Sequence, residues 1–302
     1  MSQHRTGLAA GVGAYLLWGL FPLYWPLLAP AGPVEILAHR IVWSLLFLGG
    51  LLALTAGFSW LRTLGGRRAR LLALAAALIT VNWGVFIYGV NSGHVVETSL
   101  GYFINPLVTV ALAVVVLGER LTGHQKVAVA IAAVAVLLLA LDYGRPPWIA
   151  LTLACSFGVY GLVKKRAGVD GAQSLAVETT LLAPAALAYV VWVEAAGRGT
   201  FFDEGAGHVL LLLGGGVATA VPLILFGAAA IRVSLTTVGL LQYLAPSLQF
   251  LIGVFVYSEP MPASRLAGFA LVWVALALFT AGAWRTARIA RLTAEPAVAP
   301  AR

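Results

Sequence analysis

Charge is what this sequence has least of. Only 10% of its 302 residues are Asp, Glu, Lys or Arg, while 61% are hydrophobic. A soluble domain carries about 25% charged residues, so a water-soluble globule is excluded. Cysteine is down to one, Cys155, inside an apolar run. That excludes an intrachain disulfide and a structural zinc site, and leaves a small packing residue. Aspartate is almost as scarce. Asp142, Asp170 and Asp203 all lie near loops and none is paired with another, so the paired aspartates that hold a magnesium diphosphate do not exist here. HExxH is missing, and no nucleophile–base set appears, so an enzyme is not expected, nor any cofactor or metal. Long hydrophilic stretches are lacking too. The net charge of +8 therefore has no soluble basic domain behind it, and nucleic acid is not a partner.

What is present is a series of apolar runs, each long enough to cross a bilayer as a helix of about 20 residues. They are Leu- and Ala-rich without period-two alternation, so helices rather than strands are expected, and the lipid bilayer is the surrounding medium. The runs predict spans near 8–28, 35–57, 71–91, 97–117, 125–142, 147–164, 174–193, 208–230, 236–257 and 264–284. The first run is too long for a signal-peptide core and Ala29-Pro30-Ala31 is a poor cleavage site, so it reads as a retained span. Residues 285–302 are expected as a mobile cytoplasmic tail.

Lysine and arginine set the orientation. With the N-terminus inside, the inner segments carry Arg5, Arg62, Arg67, Arg68, Arg70, Arg120, Lys126, Lys164, Lys165, Arg166, Arg232, Arg285, Arg288, Arg291 and Arg302. The outer segments carry only Arg145, Arg198 and Arg265. The positive-inside rule then places both termini in the cytoplasm and makes the span number even.

A repeat runs at an offset of 140 residues. Pro106 and Glu119 recur as Pro246 and Glu259; Phe86, Leu100, Val114 and Val116 recur as Phe226, Leu240, Val254 and Val256. The chain thus reads as all-α and membrane-integral, ten transmembrane helices in two five-helix repeats, 1–145 and 146–284. Five is odd, so the second copy enters the membrane inverted. Inverted repeats have two mirror-related conformations of similar energy, which is the physical basis of alternating access to a midplane site. A secondary transporter is expected; a channel-like pathway is the alternative, and a membrane-embedded enzyme is a more distant one.

Arg40 is the sharpest polar feature. It lies roughly 7–8 Å along the second span from Glu35, inside the apolar slab. A charge there costs at least ~2.5 kcal/mol and needs a cavity or a partner. Arg40 either attracts an anionic or polar substrate group, locks a gate, or fixes the bundle through an ion pair. Glu35 and His39 are one turn apart and can pair. Glu97, close after His94, either exchanges a proton during a cycle or stabilises a helix N-terminus. His39 and His94 read as proton relays or as hydrogen-bonded structural groups.

Buried amides and hydroxyls in lipid need partners, and a polar cavity supplies them. Asn82, Tyr88 and Asn91 on the third span, Tyr102, Asn105 and Thr109 on the fourth, and Gln242, Tyr243 and Gln249 on the ninth are candidates. Tyr15 and Trp18 on the first span and Tyr160 on the sixth are placed to stack on a planar substrate; Tyr24 and Trp25 join them or belong to the interfacial belt. Pro106 and Pro246 mark equivalent kinks that serve as hinge or gate. Glu119 and Glu259, at helix ends, read as structural anchors.

At Arg40 and the P-x12-E endings the sequence resembles the drug/metabolite transporter superfamily of EamA type, and within it the RarD branch of chloramphenicol-sensitive proteins. The stretches that carry this are AYLLWGLFPLYW, EILAHRIVWS, NWGVFIYGVNSGHVVETSLGYFINPL, LGERLTGHQ, FGVYGLVKK and LLQYLAPSLQF. The resemblance extends from about residue 15 to residue 284. It implies a ten-helix carrier of a small polar or drug-like molecule, an exporter, in the bacterial cytoplasmic membrane. No ATP-binding motif is present, so a gradient, of protons or another ion, would drive it. A homodimer through peripheral helices is compatible with the pattern. Ser258-Glu259-Pro260-Met261 departs from the Gly-Glu-Arg-Leu of the first copy.

Overall fold

Proline and glycine decide where the helices start, stop and bend. The computed structural model describes residues 3–55, 57–117, 123–169, 171–230, 232–233 and 241–293. In the first apolar run, Pro22 and Pro26 each withhold an N–H from the helical ladder. The run accordingly breaks into α1 (Gln3–Gly19), a short α2 (Phe21–Tyr24) and a 3-10 turn (Trp25–Leu28), bent by 42°. Gly19 lets α1 come close to a later helix, since a Cβ there would stand 2.9 Å from Leu248. Pro33 then occupies the first turn of α3 (Pro33–Leu54), where its missing N–H costs nothing.

The chain continues through a 3-10 turn (Ser59–Thr63), α4 (Gly66–Asn91), α5 (Val95–Leu117), α6 (Gly123–Asp142) and α7 (Trp148–Ala167). Gly168 ends α7 in the left-handed conformation that glycine adopts without strain, its N–H returning to the Lys164 carbonyl. Then follow α8 (Gly171–Ala195), α9 (Gly205–Ala230), α10 (Leu244–Leu251) with a π turn (Ile252–Val256), and α11 (Ala263–Thr293). The described residues are helical with no strand.

Among the described residues seven helices have the length and apolarity of a membrane span, and the bent N-terminal pair makes an eighth. Trp148–Lys164 and Leu244–Val256 are apolar but shorter. The helix assigned to 264–284 runs on to Thr293, past the boundary where a mobile tail was expected. Glu119, Arg120 and Leu240 lie outside the described residues.

Large side chains face outward at Leu54, Val115, Leu141 and Phe255, as a lipid-facing surface requires. Inside, α3 packs on α8 and α9, α1 on α9 and α10, α7 on α4 and α5, and α6 on α11. One core unites α5, α6, α10 and α11 around Leu100, Phe103, Leu139 and Phe269. Two others flank α3: one centred on Trp25, Ile36, Phe86 and Ile149, the other on Ala38, Ile41, Leu48 and Trp83. Arg40 sits between these two.

Glu259 reaches across the fold to the start of α5. Its two carboxylate oxygens accept the N–H groups of Val95 and Val96, the latter at 2.9 Å. A carboxylate at a helix N-terminus satisfies orphan donors and meets the positive end of the dipole. At the same end, Tyr257 donates its hydroxyl to the Pro22 carbonyl at 2.7 Å.

Candidate functional site

The bend in the first span and the start of α3 bring aromatic rings to Arg40. The guanidinium carbon lies 3.9 Å from the centre of the Trp83 ring, 5.0 Å from Trp25 and 5.7 Å from Phe21. Cation–π contact of this kind is strongest where water is excluded, and Arg40 is 4% exposed. Nε donates to Thr219 Oγ1 on α9 at 2.8 Å, and Thr219 passes its own hydrogen to the Gly215 carbonyl. Among the described residues no carboxylate pairs with Arg40. A guanidinium has five donors, and Nε supplies one of them here.

Asn82 and Tyr102 stand beside this group. Asn82 Nδ2 donates to the Leu153 carbonyl at 3.0 Å and to Ser156 at 3.1 Å, while its Oδ1 accepts from the Tyr102 hydroxyl at 3.1 Å. Tyr102 and Tyr24 are within electrostatic range of Arg40. The Tyr102 ring meets Phe86 and Phe157, and Phe157 meets Tyr160. Tyr15 and Trp18 pack edge to face on α1 at 5.3 Å, against Phe226 of α9.

Of the residues singled out in the sequence, the fold thus gathers Arg40, Asn82, Tyr102, Tyr24 and Trp25 into one site. His39, on the same helix, stacks on Phe201 at 4.9 Å and accepts the Trp43 indole N–H on Nδ1. Glu35 turns to Thr200 in the loop before α9, accepting its N–H at 2.8 Å and its hydroxyl at 2.9 Å. It makes no ion pair with His39.

Other candidates lie elsewhere. Tyr88 is exposed on α4, tilted against Trp148, and Asn91 is exposed at the end of the same helix. Tyr243 packs against the α5–α6–α11 core, with Gln242 beside it at the head of α10. Gln249 donates to the Trp18 carbonyl at 3.1 Å, and its Oε1, like Asn105 Oδ1, is buried without a partner among the described residues. Thr109 returns its hydroxyl to the Asn105 carbonyl within its own helix. Pro106 lies inside α5, whereas Pro246 lies in the first turn of α10. His94 Nδ1 meets the Ser92 hydroxyl at 3.0 Å.

Glu97 is 1% exposed and fully engaged. It takes Arg145 at 2.8 Å and the Ile149 N–H at 3.0 Å, tying α5 to the start of α7. Removing a buried charged acceptor strands its donors. Glu97→Ala is expected to lose about 2–3 kcal/mol of stability, read as a lower unfolding midpoint in detergent. An unchanged midpoint would show that Arg145 and Ile149 find other acceptors.

Several polar residues escaped the sequence reading. Glu178 on α8 is fully buried, bound to Lys164 at 2.8 Å, Tyr160 at 3.1 Å and Ser174 at 2.6 Å. It is the one acid in the body of an apolar run, and that solitude was the available signal. Thr219, Thr200 and His208 carry no comparable signal, since hydroxyls and a lone histidine are common in such chains.

The profile of the EamA-like transporter family matches residues 5–141. The chain is 56% identical over 298 residues to Protein RarD of Streptomyces exfoliatus, covering 98% of this chain and 95% of that one. It is 45% identical to an uncharacterized transporter, YojE, of Bacillus subtilis, over 92% of this chain and 95% of the relative. Protein RarD of Escherichia coli is 40% identical, over 95% and 97%. A protein of solved crystal structure superposes with a TM-score of 0.59 at 19% identity, over 94% of this chain and 99% of that one, a likeness of fold alone. The chain belongs to the EamA-like transporter family, in its RarD group.

Proposed function

We propose that this protein is a secondary, gradient-driven transporter that exports a small polar or drug-like metabolite by alternating access, and that Arg40 binds an anionic group of the substrate. The observation that carries this reading is the burial of Arg40 with no carboxylate partner among the described residues. An unpaired guanidinium in an apolar interior is costly, and a mobile anion that relieves it is bound strongly. The aromatic rings of Trp83, Trp25 and Phe21 keep water away and offer flat surfaces to a planar substrate. Asn82 and Tyr102 add neutral hydrogen-bonding groups that fix orientation. In this conformation the site is closed, as an occluded step of a transport cycle requires.

The packing supports ten helices in two inverted repeats, 1–145 and 146–284. Count α1 with α2 as the first span, α3 as the second and so on to α11 as the tenth. Exchange each helix with the one five places on. The contact of α4 with α7 becomes that of α9 with α1; α5 with α7 becomes α10 with α1; α3 with α9 becomes α8 with α4. The contacts α3–α8, α5–α10 and α6–α11 map onto themselves. Such an exchange is what two mirror-related states of one bundle need.

The test is flux into proteoliposomes, with and without a pH gradient, across amino acids, nucleosides, metabolic acids and chloramphenicol. Saturable, gradient-sensitive flux is expected for an anionic compound, and unsaturable flux would point to a channel-like pathway. Topology has its own check. In the bacterial cytoplasmic membrane with both termini inside, cysteine tags at Arg67 and within 203–207 should label from opposite faces. Labelling of both from one face would break the assignment.

A further inference from the structure

The loop between α8 and α9 folds back over the start of α3 and builds a second buried polar cluster there. Thr200 donates its hydroxyl to Glu35 Oε1, and the Thr200 Oγ1 itself lies 2.8 Å from His208 Nε2 on α9. A hydroxyl whose hydrogen points at Glu35 accepts from His208, so His208 Nε2 carries a hydrogen. The three groups form an unbroken line, His208 N–H to Thr200 O–H to Glu35. All three are buried, Glu35 at 3%, His208 at 7% and Thr200 at 8% exposed.

Glu194, in the last turn of α8, comes to the same place, held by the Phe201 N–H on its Oε1 at 3.0 Å. One ligating atom each of Glu35, His39 and Glu194 lies within 4.8 Å of the others. His39 supplies an independent sign, an unused hydrogen-bonding group beside the two carboxylates. It is 2% exposed, its Nδ1 is taken by the Trp43 indole, and its buried Nε2 has no partner. Because Nδ1 accepts, Nε2 bears the hydrogen. A nitrogen that presents N–H is a poor metal ligand but a good donor to a carboxylate. Two carboxylates, one buried and one half-buried, beside an N–H donor fit an added proton better than a metal ion.

We propose that Glu35 and Glu194 form a proton-binding pair, loaded along the path from His208 through Thr200, and that its charge is coupled to anion binding at Arg40. A proton arriving on His208 Nδ1 releases the one on Nε2 to Thr200 Oγ1, and Thr200 passes its own hydrogen to Glu35 Oε1. The protonated carboxyl approaches the other as an acid–carboxylate pair, and His39 Nε2–H donates to the remaining charge. Glu35 is a buried negative group on the helix that carries Arg40, roughly 7–8 Å away along its axis. Neutralising it strengthens the attraction of Arg40 for an anion, and by reciprocity the anion favours the proton. The two would cross together, so an anion leaving down its own gradient takes a proton with it. The titratable groups that face Glu35 are His39 on α3, Glu194 on α8 and, through Thr200, His208 on α9, with Arg40 five residues further along α3.

This coupling rests on the transporter reading, but the proton site is measurable without flux. Infrared difference spectra of the full chain in lipid are recorded as the pH is lowered. Wild type is expected to develop a carbonyl band of a buried carboxylic acid. Glu35→Gln should remove it, and Glu194→Gln should shift it. Thr200→Val should leave the band and slow its appearance. Arg40→Met should move the pH of half-appearance upward, because a positive charge on the same helix is gone, and an unmoved band would overturn the coupling. No band in wild type, or an unchanged band in Glu35→Gln, overturns the proposal. So does loss of the wild-type band on adding Mn²⁺ or Zn²⁺, which would give the cluster to a metal. A proton band without flux of any compound would instead count against transport.

Discussion

Arg40→Ala is expected to lower saturable flux about ten- to a hundredfold while the protein inserts and folds normally. The magnitude follows from losing a charge-assisted hydrogen bond to the substrate, about 1.5–3 kcal/mol. Folding should survive because the side chain contributes little net stability. Among the described residues its hydrogen bond goes to Thr219, and its burial among Trp83, Trp25 and Phe21 carries a desolvation cost that removal relieves. Arg40→Lys should recover only part of the flux. A lysine is a point charge without the planar fork that stacks on a ring and grips an anion with two bonds. Parallel flux and unfolding measurements decide between the roles. Wild-type flux from folded Arg40→Ala would leave Arg40 as a packing residue. Loss of folding together with flux would make it a structural one.

Gly216→Ala should destabilise the bundle by about 1–3 kcal/mol and abolish most transport. A Cβ at Gly216 would stand 2.5 Å from the carbonyl carbon of Trp43, 2.6 Å from its oxygen and 2.9 Å from the Ser44 nitrogen. These are backbone atoms in the middle of α3, so no rotamer change makes room, and α3 and α9 must part. Thr219 lies one turn further on α9 and Arg40 one turn back on α3. The separation therefore pulls apart the 2.8 Å bond that orients the guanidinium. Gly49→Ala is the matched control. Nothing lies within 4 Å of its missing Cβ, and alanine in a helix interior should gain about 0.5–1 kcal/mol. An unfolding midpoint for Gly216→Ala equal to wild type would mean the two helices slide freely past each other.

Much of the membrane architecture was legible because hydropathy and breaker residues act locally. The starts of α3, α5 and α9 fall within a few residues of the positions read from the apolar runs. The N-terminal run was read as one continuous span, and the structure bends it by 42° where Pro22 and Pro26 interrupt the ladder. That bend matters for function, since it carries Trp25 and Phe21 to Arg40.

The candidate site was legible by halves. Arg40 announced itself, because a charge in an apolar run is expensive wherever its helix points. Its neighbours did not. In a uniformly apolar helix no polar stripe tells which side faces the bundle, so Tyr88, read as a cavity residue, lies exposed beside Trp148. Glu35 is one turn from His39 and within reach of it by helix geometry, yet it takes Thr200, 165 positions along the chain. The loop before α9 supplies both an N–H and a hydroxyl, and two fixed donors outcompete one imidazole.

The sequence by itself determined that this chain lives in a bilayer as a bundle of helices, that a guanidinium lies within it, and to which family it belongs. These follow from transfer energies summed over neighbouring residues and from motifs that are contiguous in the chain. Only the tertiary structure decided that Arg40 is boxed by aromatic rings and held by Thr219, that no described carboxylate neutralises it, and that Glu35, Glu194, His39 and His208 converge at one end of α3. Those contacts join helices far apart in sequence. Their existence depends on how each helix is rotated and how closely glycine lets its neighbour approach, and neither is set by the local pattern.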